Sequence, residues 1–387
     1  MNVNKLAVNM GVLTVSIGLA LLLCEGAAGL ILNPGDYLNV EMVGDPILGA
    51  VPSVNARSHG FDSWGYRNRR VPATADIVAI GDSHTYGNTA TMEDSWPYVV
   101  GRLTGRSVYN LGMGGYGPNQ YYYLLKTKAL QLKPRLIICG FYMGDDFDNA
   151  YLMTYGEDYW SGLRALKGVT VDMDTWNPED REPHPSLFRR IRLWLSRHSV
   201  VYQIAAHASA LGNLQGDVQI RNAHKINSLG TSLILPEKHI EEAFLPGRIR
   251  HRLDQNSATV QEGMRITFKL FSEMSDICKQ NHIAFLVAII PAKEMVFGEY
   301  YEQHPELPLS DDVIQTSVNG LLAEKKTVRF LTDSGISYVD TLPALKRSVE
   351  QRLYAASAGD MHPNKNGYRV IGEAIAEALK ETSTTRR

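Results

Sequence analysis

Cysteine is scarce in this chain, with three in 387 residues, at positions 24, 139 and 278. Three thiols cannot build a disulfide framework, so a packed core must hold the fold. Excess charge is missing as well. The 39 Lys and Arg nearly balance the 41 Asp and Glu, leaving a formal charge of -2. Such a balance offers no bulk attraction to a polyanionic backbone, so nucleic acid is not an expected partner. No internal repeat or low-complexity tract is visible, which excludes repeat arrays and collagen-like chains. Hydrophobic residues at 44% and charged residues at 21% sit in the ordinary globular range, which excludes a disordered chain. Long apolar runs are absent but for one, so the chain is not a polytopic membrane protein.

That one run is LAVNMGVLTVSIGLALLLC at 6–24, 19 positions without a charge. As a helix it spans about 28 Å, close to the hydrocarbon thickness of a bilayer. Lys5 precedes it, Glu25 follows, and the next basic residue is Arg57. Positive charge on the short N-terminal side places the N-terminus in the cytoplasm and the remainder outside. Residues 1–32 therefore read as an uncleaved single-pass anchor. A cleavable signal peptide is the rival, with GAA at 26–28 as a weak cleavage site, although the run exceeds the usual signal-peptide core. Leu23 is too large for the residue before a lipidated cysteine, which argues against lipidation at Cys24. The other two cysteines read as small buried hydrophobes.

Residues 33–75 contain Pro, Gly and Asn without clear periodicity and read as a juxtamembrane extension. From there the pattern is regular. Short apolar runs at 76–81, 107–112, 135–141, 283–290 and 337–342 read as strands. Between them lie helical patterns at 95–103, 119–132, 261–280 and 368–380. Continuously apolar strands alternating with helices predict an α/β domain over 76–380, with a parallel sheet covered on both faces. Residues 151–260 break the rhythm and read as an insertion. Within it, FRRIRLWLSRH at 188–198 is a basic amphipathic helix whose polar face would ordinarily be solvated; a membrane surface or polyanion is the alternative.

In a parallel α/β sheet, ligands bind beyond the carboxyl ends of the strands. The residues there are Gly81-Asp82-Ser83-His84, then Asn110-Leu111-Gly112-Met113-Gly114-Gly115, then Gly144-Asp145-Asp146. Asp360-Met361-His362-Pro363-Asn364 precedes the last helix. Together they supply the parts of acyl transfer. A serine at a tight strand-to-helix turn can present its hydroxyl, and a histidine must take its proton. A carboxylate fixes the imidazole, and glycine lets a backbone N–H approach a developing oxyanion. GDSHT does not satisfy the G-x-S-x-G elbow of the α/β-hydrolases.

These blocks resemble the GDSL family of SGNH hydrolases and acyltransferases. The likeness covers about 76–150 and 265–380 and implies a three-layer α/β/α, flavodoxin-like fold. It makes Ser83 the nucleophile and first oxyanion donor, Gly115 the second donor and His362 the base. Two departures stand out. Where the family has asparagine as a third donor, this chain has Asp145, and an ionised carboxylate would repel an oxyanion. Asn149 is a candidate substitute. The acid usually sits three positions before the histidine, where this chain has Gly359; Asp360 is the nearest carboxylate. Asp145, Asp146 and Asp148 could be read as a cation site, but they lack full EF-hand spacing, and no metal or cofactor is expected. His84 reads as structural or substrate-facing. Lys293-Glu294 either lines the site or forms a surface ion pair.

The expected function is a membrane-anchored serine esterase outside the cytoplasm, acting on O-acyl groups through Ser83, His362 and Asp360. Its expected substrate is an acylated carbohydrate or small ester, O-acetyl groups of a cell-envelope or exopolysaccharide foremost. The alternatives are an O-acyltransferase on the same substrates, or a non-catalytic scaffold for envelope assembly proteins, which Asp145 would favour.

Overall fold

A computed structural model describes residues 3–53, 60–169, 171, 186–206, 232–235, 240–244, 246–304, 311–354 and 360–384. The strands are β1 Met42–Asp45, β2 Gly49–Pro52, β3 Ile77–Gly81, β4 Val108–Asn110, β5 Leu136–Tyr142, β6 Ser232–Leu235, β7 Ile240–Ala243, β8 Ala284–Ile290 and β9 Ser337–Asp340. The α-helices used below are α1 Val3–Ile31, α2 Ser83–Tyr86, α3 Trp96–Thr104, α4 Pro118–Thr127, α5 Asp146–Gly156, α6 Leu187–His198, α7 Pro246–Leu253, α8 Ala258–Gln280, α9 Lys293–Gln303, α10 Asp311–Asp333, α11 Leu342–Arg347 and α12 Lys365–Thr384.

Five strands form one parallel sheet in the order β4-β3-β5-β8-β9. Numbered within the sheet, that order is 2-1-3-4-5, the flavodoxin-like doubly wound arrangement. All five predicted strands are present. Every residue of β3 and β5 is buried, and so is all of β8 after Ala284. Continuous apolar sequence is what a strand covered on both faces requires. The edge strands β4 and β9 are short, which limits the unpaired backbone they present.

Helices pack on both faces. α3 and α12 lie together on one face, with Gly372 against Val99; a Cβ there would come 2.6 Å from Val99 Cγ1. α4, α5 and α8 pack together on the other face, where Phe268 of α8 stacks on Phe330 of α10 at 4.3 Å. The three-layer α/β/α architecture implied by the resemblance is therefore present.

Residues 33–53 and 60–75 do more than extend from α1. β1 and β2 form an antiparallel hairpin, and Tyr66, Arg67 and Asn68 are buried against the domain. Asp62 organises this segment. It accepts from the Trp64 and Tyr66 backbone N–H groups, from Asn68 Nδ2 at 3.0 Å and from Tyr109 Oη at 2.5 Å. The irregular region also differs in extent from 151–260, because α5 runs on to Gly156 and α8 begins at Ala258. Phe244, Ile249 and Leu253, from within it, are buried in the main core. Gly359 lies outside the described residues.

α1 contains one segment, Val8–Ile31, long and apolar enough to cross a membrane, with a mean hydropathy of 1.9 and none of it buried in the protein.

Candidate active site

Ser83 stands at the carboxyl end of β3, the strand flanked by both β4 and β5. This is the switch point of the sheet, where a crevice opens. The turn into α2 depends on close backbone approach. A Cβ on Gly81 would lie 2.0 Å from Thr85 Oγ1, so only glycine fits there. Asp82 caps α2 by accepting from the His84 backbone N–H at 2.9 Å, and Gly87 ends the helix at φ 87. Ser83 thus occupies the first residue of α2 with its backbone N–H free of the preceding strand ladder.

His362 arrives from the far end of the sequence. Its Nε2 is 2.8 Å from Ser83 Oγ, and its Nδ1 is 2.7 Å from Asp360 Oδ1. With the ring proton on Nδ1, the imidazole donates to Asp360 and accepts from the Ser83 hydroxyl. The His362 backbone N–H also donates to Asp360 Oδ1, at 2.9 Å, so one carboxylate fixes both ring and main chain. Burial would raise the Asp360 carboxyl, but the hydrogen bonds from His362 and the charge of Lys293 outweigh it and hold it below its ordinary range. The two-residue spacing therefore permits the acid–histidine contact. Thr89 Oγ1 donates to the Pro363 carbonyl at 2.6 Å and ties the Ser83 loop to the His362 loop. Asn364 anchors the other side, donating to the Tyr354 carbonyl and accepting from the Asn366 N–H.

The second loop is clamped onto α2. Asn110 Nδ2 donates to the Thr85 carbonyl at 2.8 Å, and its Oδ1 accepts from the Gly112 N–H at 2.8 Å. A Cβ on Gly112 would meet the Tyr86 backbone at 2.3 Å. Gly114 faces Ser83, with its would-be Cβ 3.9 Å from the serine Cβ. Gly115 adopts φ 77 with open space around it. Asn149 packs beside this loop, against Gly117, where a Cβ would come 2.7 Å from the Asn149 Cβ.

Asp145 lies after β5, as expected, but it is not a lone carboxylate. Arg252 of α7 pairs with it, and the same guanidinium reaches Asp148 Oδ2 at 3.3 Å. Burial lowers the pKa of Arg252, but the two aspartates outweigh that and raise it above its usual range, so the cation persists. Asp146 faces elsewhere, accepting from Tyr121 Oη at 2.8 Å and the Tyr142 N–H at 2.9 Å. The three carboxylates are divided between two sets of partners, and among the described residues no group of three or more His, Cys, Asp or Glu is placed to hold an ion.

His84 is buried beside the triad. Its Nδ1 lies 3.0 Å from Asp82 Oδ2, its ring stacks on Tyr142 at 3.7 Å, and its centroid is 4.8 Å from that of His362. The histidine that contacts Ser83 Oγ is His362, not this neighbour, and the hydroxyl also lies 3.5 Å from Asp82 Oδ2. Lys293 and Glu294 are not on the surface; both are almost fully buried. Lys293 Nζ lies 5.3 Å from the Tyr354 ring centroid and donates to the Asp360 carbonyl at 3.4 Å. Sequence reasoning left Arg252 unassigned altogether. Nothing near it in sequence marks it, because its carboxylate partners lie more than a hundred residues away.

No protein-family model matches the chain, and no curated protein matches it. Solved structures similar to it include a protein described as lipolytic, of the G-D-S-L family, from Desulfitobacterium hafniense. It is 14% identical with a TM-score of 0.38, over 78% of this chain and 97% of that one. A catalytic mutant of an acetylxylan esterase from Geobacillus stearothermophilus is 11% identical with a TM-score of 0.35, over 79% and 94%. A GDSL-like lipase from Bacteroides thetaiotaomicron is 10% identical with a TM-score of 0.34, over 79% and 88%. At these values the chemistry has to be argued from the site's own geometry.

Proposed function

We propose that this protein is a serine esterase of the SGNH kind, and the hydrogen-bonded chain Ser83–His362–Asp360 carries that reading. Ser83 Oγ attacks the ester carbonyl carbon as His362 Nε2 takes the hydroxyl proton. Asp360 stabilises the imidazolium through Nδ1–H. The oxyanion is held by the backbone N–H groups of Ser83 and Gly115. Collapse of the intermediate expels the alcohol, which receives its proton from His362 and leaves an acyl-serine. Water then attacks the acyl carbon as His362 takes its proton, and His362 returns that proton to Ser83 Oγ as the carboxylic acid departs.

The Asp145–Arg252 pair removes the main objection to catalysis. A cation bound to the carboxylate offsets the charge that would otherwise oppose an oxyanion, so the case for a non-catalytic scaffold loses its chief support. The substrate reading follows from location. The apolar length of α1 supports a single-pass anchor, and the charge pattern favours an extracytoplasmic active domain. There, O-acetyl groups on envelope or exported polysaccharide are accessible esters.

Turnover of p-nitrophenyl acetate and labelling by a fluorophosphonate test the chemistry. Ser83→Ala should lower turnover by about 10³-fold or more and abolish labelling. Equal turnover and labelling by the wild type and the variant would sink the proposal. Acetate release from an acetylated polysaccharide, measured with and without a hydroxyl acceptor, separates hydrolysis from transfer.

A further inference from the structure

α6 is built the wrong way round for a helix of a water-soluble domain. Ser196 is buried, Arg197 pairs with Glu41 at 3.2 Å, and the Ser196 carbonyl accepts from the Asn39 N–H. Its polar side therefore packs on the protein. Its apolar side points outward: Leu187, Phe188, Ile191 and Trp194 are 72%, 77%, 49% and 59% exposed. Spacing of i, i+4 and i+7 places Leu187, Ile191 and Trp194 on one stripe, with Phe188 beside it. Arg190 and Arg192 flank that stripe on either side, and the helix carries no acidic residue.

The position of α6 relative to α1 is as telling as its pattern. The uncharged run of α1 ends at Cys24, and the next residue is Glu25. Glu25 accepts from Ser199 Oγ at 2.7 Å and from the backbone N–H groups of Val200 and Val201 at 2.6 and 3.2 Å. It thereby caps the helical turns at 200–206, immediately after α6. The end of α6 is pinned within the last two turns of the apolar segment Val8–Ile31, close to the membrane boundary if α1 spans.

We propose that α6 lies in the plane of that same membrane, with Leu187, Phe188, Ile191 and Trp194 buried below the headgroups and Arg190 and Arg192 on anionic lipid phosphates. The inference rests on the reading of α1 as a span and is independent of the esterase chemistry. An outward apolar stripe with flanking arginines and a tryptophan is the composition of an interfacial helix. It gives the domain a second contact, so the molecule sits at a fixed attitude to the bilayer.

The test uses the full chain with Cys24→Ser, reconstituted in phosphatidylcholine vesicles with and without phosphatidylglycerol. An environment-sensitive fluorophore is placed at Ile191→Cys or, separately, at Val15→Cys in α1. Nitroxide-bearing lipids report contact. Blue-shifted emission and lipid quenching at both positions is the expected result. Quenching at 191 alone rejects the span and, with it, the placement of both helices in one membrane. Quenching at 15 alone rejects the α6 proposal and keeps the span, and quenching at neither rejects both. A blue shift at 191 without lipid quenching means protein covers the stripe, and this too overturns the proposal. Adding Arg190→Glu and Arg192→Glu should reduce quenching at 191 several-fold in the anionic vesicles at low salt. Quenching indifferent to both lipid charge and these reversals would overturn the assignment of the arginines to phosphates.

Discussion

Arg252 decides what Asp145 can do. The guanidinium is shared between Asp145 and Asp148, so removing it leaves two unopposed carboxylates beside the third strand end. Arg252→Ala should lower kcat for p-nitrophenyl acetate by roughly 10²-fold, the scale of a lost oxyanion interaction. Asp145→Asn should preserve activity, because Asp148 still holds the cation. The double variant Asp145→Asn/Arg252→Ala should recover much of the loss, and steady-state kinetics on the four proteins closes the cycle. If the effects of the two single variants simply add, the charges are not coupled through this pair. Asp360 has its own test. Asp360→Ala should cost about 10²–10⁴ in kcat/KM by freeing the imidazole, and an unchanged value would remove it from the triad. Ser83 and His362 were legible in the sequence because each sits in a short glycine- or proline-marked block at the end of an element. Asp360 was legible as the nearest carboxylate, although its neighbour at the usual acid position is Gly359. Arg252 and Lys293 were not, since each acts through partners that only the fold brings near.

The elements that sequence revealed are those whose burial is total. β5 and β8 are apolar at nearly every position because helices cover both sheet faces, and no polar alternation blurs them. Helix α4 was readable in part. Its pattern was expected to run to 132, but the α-helix stops at Thr127 and a 3₁₀ segment, Ala129–Leu132, continues the chain. The partnership between α10 and β9 was invisible, because it depends on two carboxyl groups meeting. Burial first, and then the nearby Asp340, push the Glu324 carboxyl from its ordinary 4.5 to about 8. The folded state therefore holds this proton more tightly than the unfolded chain. Below about pH 4.5 both states keep it and stability is unaffected. Between there and about pH 8 the unfolded state releases it first, so stability falls as pH rises. Asp340, raised in the same direction, adds to the slope. Thermal unfolding across pH 5 to 8 should show a falling Tm, and Glu324→Gln should flatten it; an identical slope in the variant would refute this source.

At the scale of the molecule, the working unit begins well before the first strand of the sheet. Residues 33–53 and 60–75 lack periodicity because side-chain contacts to main chain hold them, not a repeating apolar face. Arg67 donates to the carbonyls of Tyr86, Gly87 and Ala90, bracing the loop that follows Ser83, and it lies 3.7 Å from Asp36. Asp36 in turn accepts from the Met92 N–H. On the other side, Tyr116 Oη donates to the Ala50 carbonyl and Gln120 Nε2 to that of Leu48, so the hairpin braces the glycine loop. The loop after Ser83 and the glycine loop are thus both supported by a segment that looked like a tether. A chain starting at residue 33 should unfold cooperatively and keep esterase turnover, because it loses only α1 and the Glu25 cap. A chain starting at residue 76 should not, because Asn110, Tyr109 and the Gly87 turn would lose buried partners together. Arg67→Ala isolates the effect. It strands several buried carbonyls and one carboxylate, a loss of about 3 kcal/mol by the scale of broken buried charge networks. Calorimetry and turnover on the same samples check the argument. If the chain starting at 76 melts and turns over like the one starting at 33, the segment is a tether after all and the sheet alone organises the site.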